Sequence, residues 1–259
     1  MKRTQITPAL SVFPLCFHSL IQGAAIFDSS CSEEARVYYI DKECGFYLKT
    51  APAGTLAREA ALTRYFHNNG LGAEVLAYHQ EDRDWLLTCR VPGEDCTHRM
   101  YLEEPKRLAE LLGIQLRMLH ELDHSGCPVT DHTQRYLDTV FRNYEAGCFD
   151  STGRYHPCRD PKEAIRIVQE YSPQLKCDTL LHGDYCLPNV MLDNWRFSGF
   201  IDLGNGGVGD RHIDLYWGAW TLRFNLKTDA WCSHFLDAYG RDRIDLDIVK
   251  AIGAFEAFG

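Results

Sequence analysis

The stretch Leu181-His182-Gly183-Asp184-Tyr185-Cys186-Leu187-Pro188-Asn189 sets a carboxylate and a carboxamide five residues apart, just past an apolar run. A second carboxylate, Asp202 in Phe200-Ile201-Asp202-Leu203-Gly204, follows Asn189 by thirteen residues. Phosphoryl transfer from a nucleotide needs such a set. One carboxylate accepts the proton of the attacking hydroxyl, and further oxygen donors hold Mg²⁺. Either half alone matches a capped turn or an ordinary Asp-x-Gly turn. The two in this order and spacing point to the transfer chemistry.

Both pieces resemble the aminoglycoside phosphotransferase family, a branch of the protein-kinase-like fold. His182-Gly183-Asp184…Asn189 and Ile201-Asp202-Leu203-Gly204 match its His-Gly-Asp…Asn and Ile-Asp-x-Gly signatures. Cys186-Leu187-Pro188-Asn189 and the run 196–202 are especially similar to the aminoglycoside 3′-phosphotransferases, as is the piece from Arg83 to Gly93. Protein kinases match less well, because His-Arg-Asp, Asp-Phe-Gly and Ala-Pro-Glu are all missing from the chain.

The resemblance implies roles residue by residue. Asp184 would be the catalytic base, and Asn189 and Asp202 would hold Mg²⁺. His182 and Asp214 would stabilise the catalytic loop. Lys49, at the end of the apolar strand Phe46-Tyr47-Leu48, would hold the nucleotide's phosphates, with Glu59 as its ion-pair partner. A lysine snorkelling from a strand end and a surface helical glutamate are the ordinary alternatives. Tyr47 lies two residues before Lys49, so strand alternation puts both side chains on one face. In the family an aromatic there stacks on adenine, and backbone groups from Cys89 to Val91 would meet the base edge. Ser32 would reach a phosphate, although Ser30 replaces the family's glycine and Glu33 and Glu34 bring negative charge beside a polyanion.

The acceptor is less completely marked. The terminus Phe255-Glu256-Ala257-Phe258-Gly259 is similar to the family's Glu-x-Phe ending, which makes Glu256 and Phe258 candidates for acceptor binding. Asp150 is the single acidic residue of the stretch 148–156, which is acidic in relatives. Asn205 stands where an arginine is usual, and Trp220, Thr221 and Phe224 replace charged residues. Trp217, Trp220 and Trp231 sit on helical runs, where core packing is expected.

These residues must be placed by two kinds of structure. Alternating patterns at 24–28, 35–40, 45–49, 74–79 and 85–90 predict an antiparallel sheet of five strands, with helices over 13–21 and 55–67. Val91-Pro92-Gly93-Glu94-Asp95 breaks the pattern. Beyond it, helical periodicity covers 105–122, 133–146, 161–170, 213–224, 228–239 and 246–258. The expected fold class is α+β: a bilobal protein-kinase-like fold with a small antiparallel-sheet lobe, residues 1–92, and a mostly helical lobe, residues 93–259.

Length and charge agree with this. A chain of 259 residues with 45% hydrophobic content can bury a substantial core. A net charge of −9 argues against a general nucleic-acid binder. Eleven cysteines, without any Cys-x-x-Cys, argue against a zinc site and fit a reducing, cytoplasmic setting. The apolar run 9–27 after Lys2 and Arg3 imitates a secretory leader, but Pro14, His18, Ser19 and Gln22 interrupt it. No stretch reaches the ~20 apolar residues of a membrane span. The expectation is an enzyme using ATP, or GTP, with Mg²⁺ to phosphorylate an alcohol, above all the 3′-hydroxyl of aminoglycosides. Another amino alcohol or sugar, and a silent nucleotide-binding protein, are the alternatives. The expected assembly is a monomer or weak dimer, with no nucleic-acid or membrane partner.

Overall fold

The structure is a computed structural model that describes residues 3–31 and 35–259. The chain begins with β1 (Thr4–Ile6), passes through two short 3₁₀ turns to α1 (His18–Ile21), and forms β2 (Ala25–Asp28), β3 (Arg36–Asp41) and β4 (Phe46–Pro52). It continues through α2 (Ala57–Asn68), β5 (Val75–Gln80), β6 (Arg83–Cys89) and β7 (Glu94–Asp95). Helices α3 (Arg99–Leu102), α4 (Pro105–His120), α5 (His132–Glu145) and α6 (Pro161–Tyr171) follow. After β8 (Thr179–Leu181), β9 (Val190–Asp193), β10 (Arg196–Phe200) and β11 (Gly207–Gly209), the chain ends in α7 (Arg211–Leu226), α8 (Cys232–Tyr239) and α9 (Leu246–Phe255).

Two compact units result, one of residues 1–95 with 190–204, the other of residues 96–189 with 205–259. The first holds an antiparallel sheet in the order β1-β2-β3-β4-β6-β5. Strand alternation sorts its side chains. Tyr38, Ile40, Phe46, Leu48, Trp85 and Leu87 turn to one face, where Phe13, Phe17 and Ile21 cover them. Ala51 and Leu86 turn to the other, against Leu56 and Ala60 at the start of α2. Of the run 9–27, Phe13, Phe17, Ile21 and Ile26 are buried in this core, while Leu10, Val12 and Leu15 stay exposed. The sheet has six strands rather than the expected five. Thr4-Gln5-Ile6 is too short to show alternation, and its partner β2 lies some twenty residues away. The expected helix over 13–21 is reduced to a 3₁₀ turn at Leu15–Phe17 and the single turn of α1.

In the second unit, α4 shows why its sequence folds as it does. Leu108, Leu112, Leu116 and Leu119 recur at helical spacing and are all buried. Gly113 permits close approach of α8, since a Cβ there would lie 2.3 Å from the Phe235 carbonyl oxygen. Strands β8 and β11 pair antiparallel, while β7, β9 and β10 form a small sheet in the first unit. Helix α8 starts one turn later than its periodicity suggests, and α9 stops at Phe255. All eleven cysteines are free thiols. Among the described residues, no helix is long and apolar enough to cross a membrane.

Candidate active site

In the first unit, Lys49 of β4 sits between two carboxylates. Its Nζ donates to Glu59 Oε2 at 2.8 Å and Oε1 at 3.0 Å, and to Asp202 Oδ1 at 2.8 Å. Glu59 is in the first turn of α2, where the helix dipole favours negative charge. Helix α2 begins where it does because buried Asp84 accepts the Leu56 N–H at 2.8 Å. Burial alone would pull the lysine's pKa down, but the Asp202 and Glu59 charges outweigh it and raise the pKa, so the ammonium is firmly charged. Asp202 adopts a left-handed φ of 59°, a conformation that places its half-exposed carboxylate against Lys49. Gly204 lies beside Glu59, where an added Cβ would come within 3.3 Å of Oε2.

Tyr47 shares the sheet face of Lys49, as alternation requires, and pairs with Tyr39 across β3 and β4, ring centroids 5.2 Å apart. Arg3, which no sequence pattern marks, reaches this face as well. Its guanidinium donates to the Tyr47 hydroxyl at 2.6 Å and lies 3.7 Å from the Tyr39 ring centroid. At the end of β6 the Cys89 N–H is committed to the Glu74 carbonyl and the Arg90 N–H to the Gly45 carbonyl. Val91 is buried against Ala73 and Met191. Ser32 lies outside the described residues. Its neighbour Ser30 is held in a turn, with its Oγ accepting the Val37 N–H at 3.0 Å.

In the second unit, Asp184 stands on a loop fixed from below. Its neighbours His182 and Gly183 donate their backbone N–H groups to the two oxygens of Asp214 at 2.7 and 2.8 Å. Asp214 is fully buried, and His120 Nε2 meets it at 3.2 Å while His120 Nδ1 meets the Tyr239 hydroxyl at 2.9 Å. Burial would raise the Asp214 pKa, but the His120 and His182 interactions hold it below the ordinary value. Gly183 has φ +83°, and a Cβ there would lie 1.8 Å from the Asn205 carbonyl oxygen, so only glycine fits. Asn189 Nδ2 donates to Asp184 Oδ2 at 2.9 Å and to its carbonyl at 3.0 Å. Thr221 closes the loop's far side by accepting the Leu187 N–H at 3.1 Å. Neither His120 nor Thr221 carries a sequence signal, since each acts only through tertiary contact.

The three acceptor candidates differ. Glu256, at the C-cap of α9, accepts from the Tyr136 hydroxyl at 2.7 Å. Burial pushes its carboxyl up to about 7, against hydrogen bonds from Tyr136 and Trp217, and the Asp184 charge adds to the rise. Glu256 and Asp184 are therefore within electrostatic reach of each other. Asp150 is largely engaged in its own turn, taking the Thr152 N–H at 2.8 Å and facing His156 Nε2 at 3.4 Å. The Phe258 ring is buried against Tyr144 and Phe149, so it packs the terminus instead of presenting a surface.

Asp202 in the first unit and Asn189 in the second each keep an oxygen donor of the kind a hard divalent cation takes. Lys49 engages one oxygen of a half-exposed Asp202, and Asn189 bonds through its amide nitrogen, which leaves its amide oxygen as a ligand. Among the described residues no group of three or more His, Cys, Asp or Glu side chains could hold a metal ion by itself.

Comparison with known proteins agrees with this geometry. The family profile described as the phosphotransferase enzyme family matches residues 32–251. A probable aminoglycoside 3′-phosphotransferase of Lactococcus lactis is 48% identical over 250 residues, covering 95% of each chain. An aminoglycoside 3′-phosphotransferase of type VIII, seen by crystallography, superposes with a TM-score of 0.73 at 24% identity, over 96% of both chains. An aminoglycoside phosphotransferase of Streptomyces rimosus, solved with ADP and streptomycin, gives 0.68 at 24% identity, over 86% of this chain and 90% of the other. The fold is thus the kinase-like one, and this chain belongs to the phosphotransferase enzyme family, among relatives named as aminoglycoside phosphotransferases.

Proposed function

We propose that this protein transfers the γ-phosphoryl group of ATP to the 3′-hydroxyl of an aminoglycoside. The observation that carries the reading is the Asp184 loop, whose carboxylate is aimed by Asn189 and whose backbone is anchored to Asp214. The 48% identical relative named as a 3′-phosphotransferase supports the acceptor, and the neighbour solved with ADP supports the nucleotide.

In this mechanism Asp184 accepts the proton of the attacking hydroxyl as its oxygen bonds to the γ-phosphorus and ADP leaves. Lys49, oriented by Glu59, holds the phosphates of the donor. Tyr47 stacks on the base, while the base edge meets Val91 and nearby carbonyls, the Cys89 N–H being spent within the sheet. Asn189 and Asp202 would hold Mg²⁺, which would supply positive charge to offset that of the phosphate oxygens. Glu256 takes an ammonium group of the acceptor. Asp150 contributes negative charge only from within its turn, and Phe258 contributes packing.

The test is ADP release with a kanamycin-type acceptor and with its 3′-deoxy analogue. Turnover of the first alone is expected. Equal turnover of both would move the reaction to another hydroxyl, and ATP binding without turnover of any alcohol would leave a silent nucleotide-binding protein.

A further inference from the structure

Beside Glu256 the second unit carries a connected group of aromatic rings that the proposed transfer does not use. Trp217, Trp220 and Phe224 recur at helical spacing on one face of α7. Phe224 stacks on Trp220 with centroids 4.8 Å apart and planes at 14°. Trp220 meets Trp217 at 5.3 Å and Tyr155 at 5.4 Å, and Tyr155 meets Trp217 at 6.0 Å. The group is firmly built. The Trp220 indole N–H donates to the Arg154 carbonyl at 3.1 Å, and the Tyr216 hydroxyl donates to the Tyr155 carbonyl. Yet it is not sealed, because Tyr155 and Phe224 each remain 37% exposed.

Its position and charge say what it would face. Trp217 lies close enough to Glu256 to favour its ionised form, so the aromatic surface begins beside the carboxylate that the Tyr136 hydroxyl holds. Cations lie over its two half-exposed rings. The Arg154 guanidinium is 5.2 Å from the Tyr155 centroid and 5.5 Å from that of Phe224, and Lys227 Nζ is 4.3 Å from the Phe224 centroid. A ligand with several ammonium groups spread along this surface would meet positive charge. A ring with an apolar face would meet aromatic carbon. One carboxylate near the reacting hydroxyl and aromatic rings beyond it suit a ligand that is cationic at one end only.

We propose that Tyr155 and Phe224, backed by Trp217 and buried Trp220, form a stacking wall for the second ring of the acceptor, and that the wall directs the protein to amino sugars whose distal ring is uncharged or weakly charged. The inference rests on Glu256 and Asp184 marking the acceptor end, as proposed above. Glu256 supplies one ionic anchor, and ring stacking supplies the rest of the affinity.

The test compares wild type with the double variant Tyr155→Ala/Phe224→Ala, whose melting temperature reports whether the fold is kept. Three probes serve: a kanamycin-type aminoglycoside, the same compound with its distal-ring amines acetylated, and a one-ring amino sugar. Wild type should take the acetylated compound at least as well as its parent. The double variant should raise KM for both multi-ring compounds by about tenfold, with a much smaller change in kcat and none in KM for ATP or the one-ring probe. An unchanged KM in the variant, or a steep loss on distal acetylation in wild type, would overturn the wall. Tryptophan-fluorescence titration with the same probes separates the two readings. Binding that depends on Tyr155 and Phe224 but gives no turnover sustains the wall and removes the 3′-transfer reading. Absence of binding by any of the multi-ring probes removes the wall. Should the double variant melt early, the single variant Phe224→Leu carries the same KM comparison.

Discussion

Lys49 Nζ and Asp202 Oδ1 lie 2.8 Å apart although 153 residues separate them in the chain. With Glu59 on the other side, the lysine bridges one carboxylate that orients it and one assigned to the metal. In the proposed function a bound nucleotide would take Lys49 from Asp202, while Glu59 kept its hold. The roles of the two carboxylates become separable by substitution.

Glu59→Gln should weaken ATP binding by roughly tenfold, because the ammonium loses the partner that aims it. Asp202→Asn should act in opposite directions with and without metal. Without Mg²⁺ it frees Lys49 and tightens ATP binding, whereas with Mg²⁺ it lowers turnover by orders of magnitude. Titration calorimetry of each variant with ATP, with and without Mg²⁺, checks both. Weaker metal-free binding in Asp202→Asn would refute the competition between Asp202 and phosphate for the lysine.

Asp184→Asn should lower kcat by roughly two to four orders of magnitude, in the range of general-base losses, while Mg²⁺·ATP binding stays near wild type. Single-turnover kinetics beside nucleotide titration separates the two. Near-normal turnover on a confirmed acceptor would strip Asp184 of its role.

Glu256 carries a pH dependence with a definite sign. Its folded pKa is raised from 4.5 to about 7, so the folded chain holds a proton that the unfolded chain has lost. Its stabilising contribution is full below pH 4.5 and is lost as pH rises through about 7. An ammonium ligand favours the ionised carboxylate. KM for a cationic acceptor should therefore fall between pH 6 and 8 in wild type and be flatter in Glu256→Gln, with KM for ATP unaffected. Identical profiles for the two proteins would separate Glu256 from acceptor binding.

Asp214 has the opposite sign. Its folded pKa lies below 3.8, so its contribution is present above that value and lost as pH falls through the folded pKa. Asp214→Asn should cost about 1–3 kcal/mol at neutral pH, since an amide cannot accept all the bonds that two backbone N–H groups and His120 direct at it. Urea unfolding should show that gap narrowing on acidification below pH 4. A gap independent of pH would mean that the charge of Asp214 is not what secures the loop.

Much of this was legible because it rests on local rules. Alternation put Tyr47 and Lys49 on one face, and the leucine spacing of α4 marked its buried stripe. The motif residues Asp184, Asn189 and Asp202 were marked by residue type and spacing alone. What stayed hidden is tertiary. Arg3 reaches Tyr47 across 44 residues through a strand too short to show a period, and His120 meets Asp214 across 94. Phe258, read as a binding residue from the terminal motif, is turned inward by Tyr144 and Phe149. Trp220, expected in the core from its helical run, is buried, whereas its stacking partner Phe224 stays 37% exposed, a difference that helical spacing alone does not tell.

The most direct test of the account is the position of the phosphate on the product. Phosphorus–proton NMR of a kanamycin-type acceptor after reaction with ATP should show a single phosphate coupled to the 3′ proton, absent with Asp184→Asn. A phosphate at any other carbon, or the same product from Asp184→Asn at an undiminished rate, would contradict it.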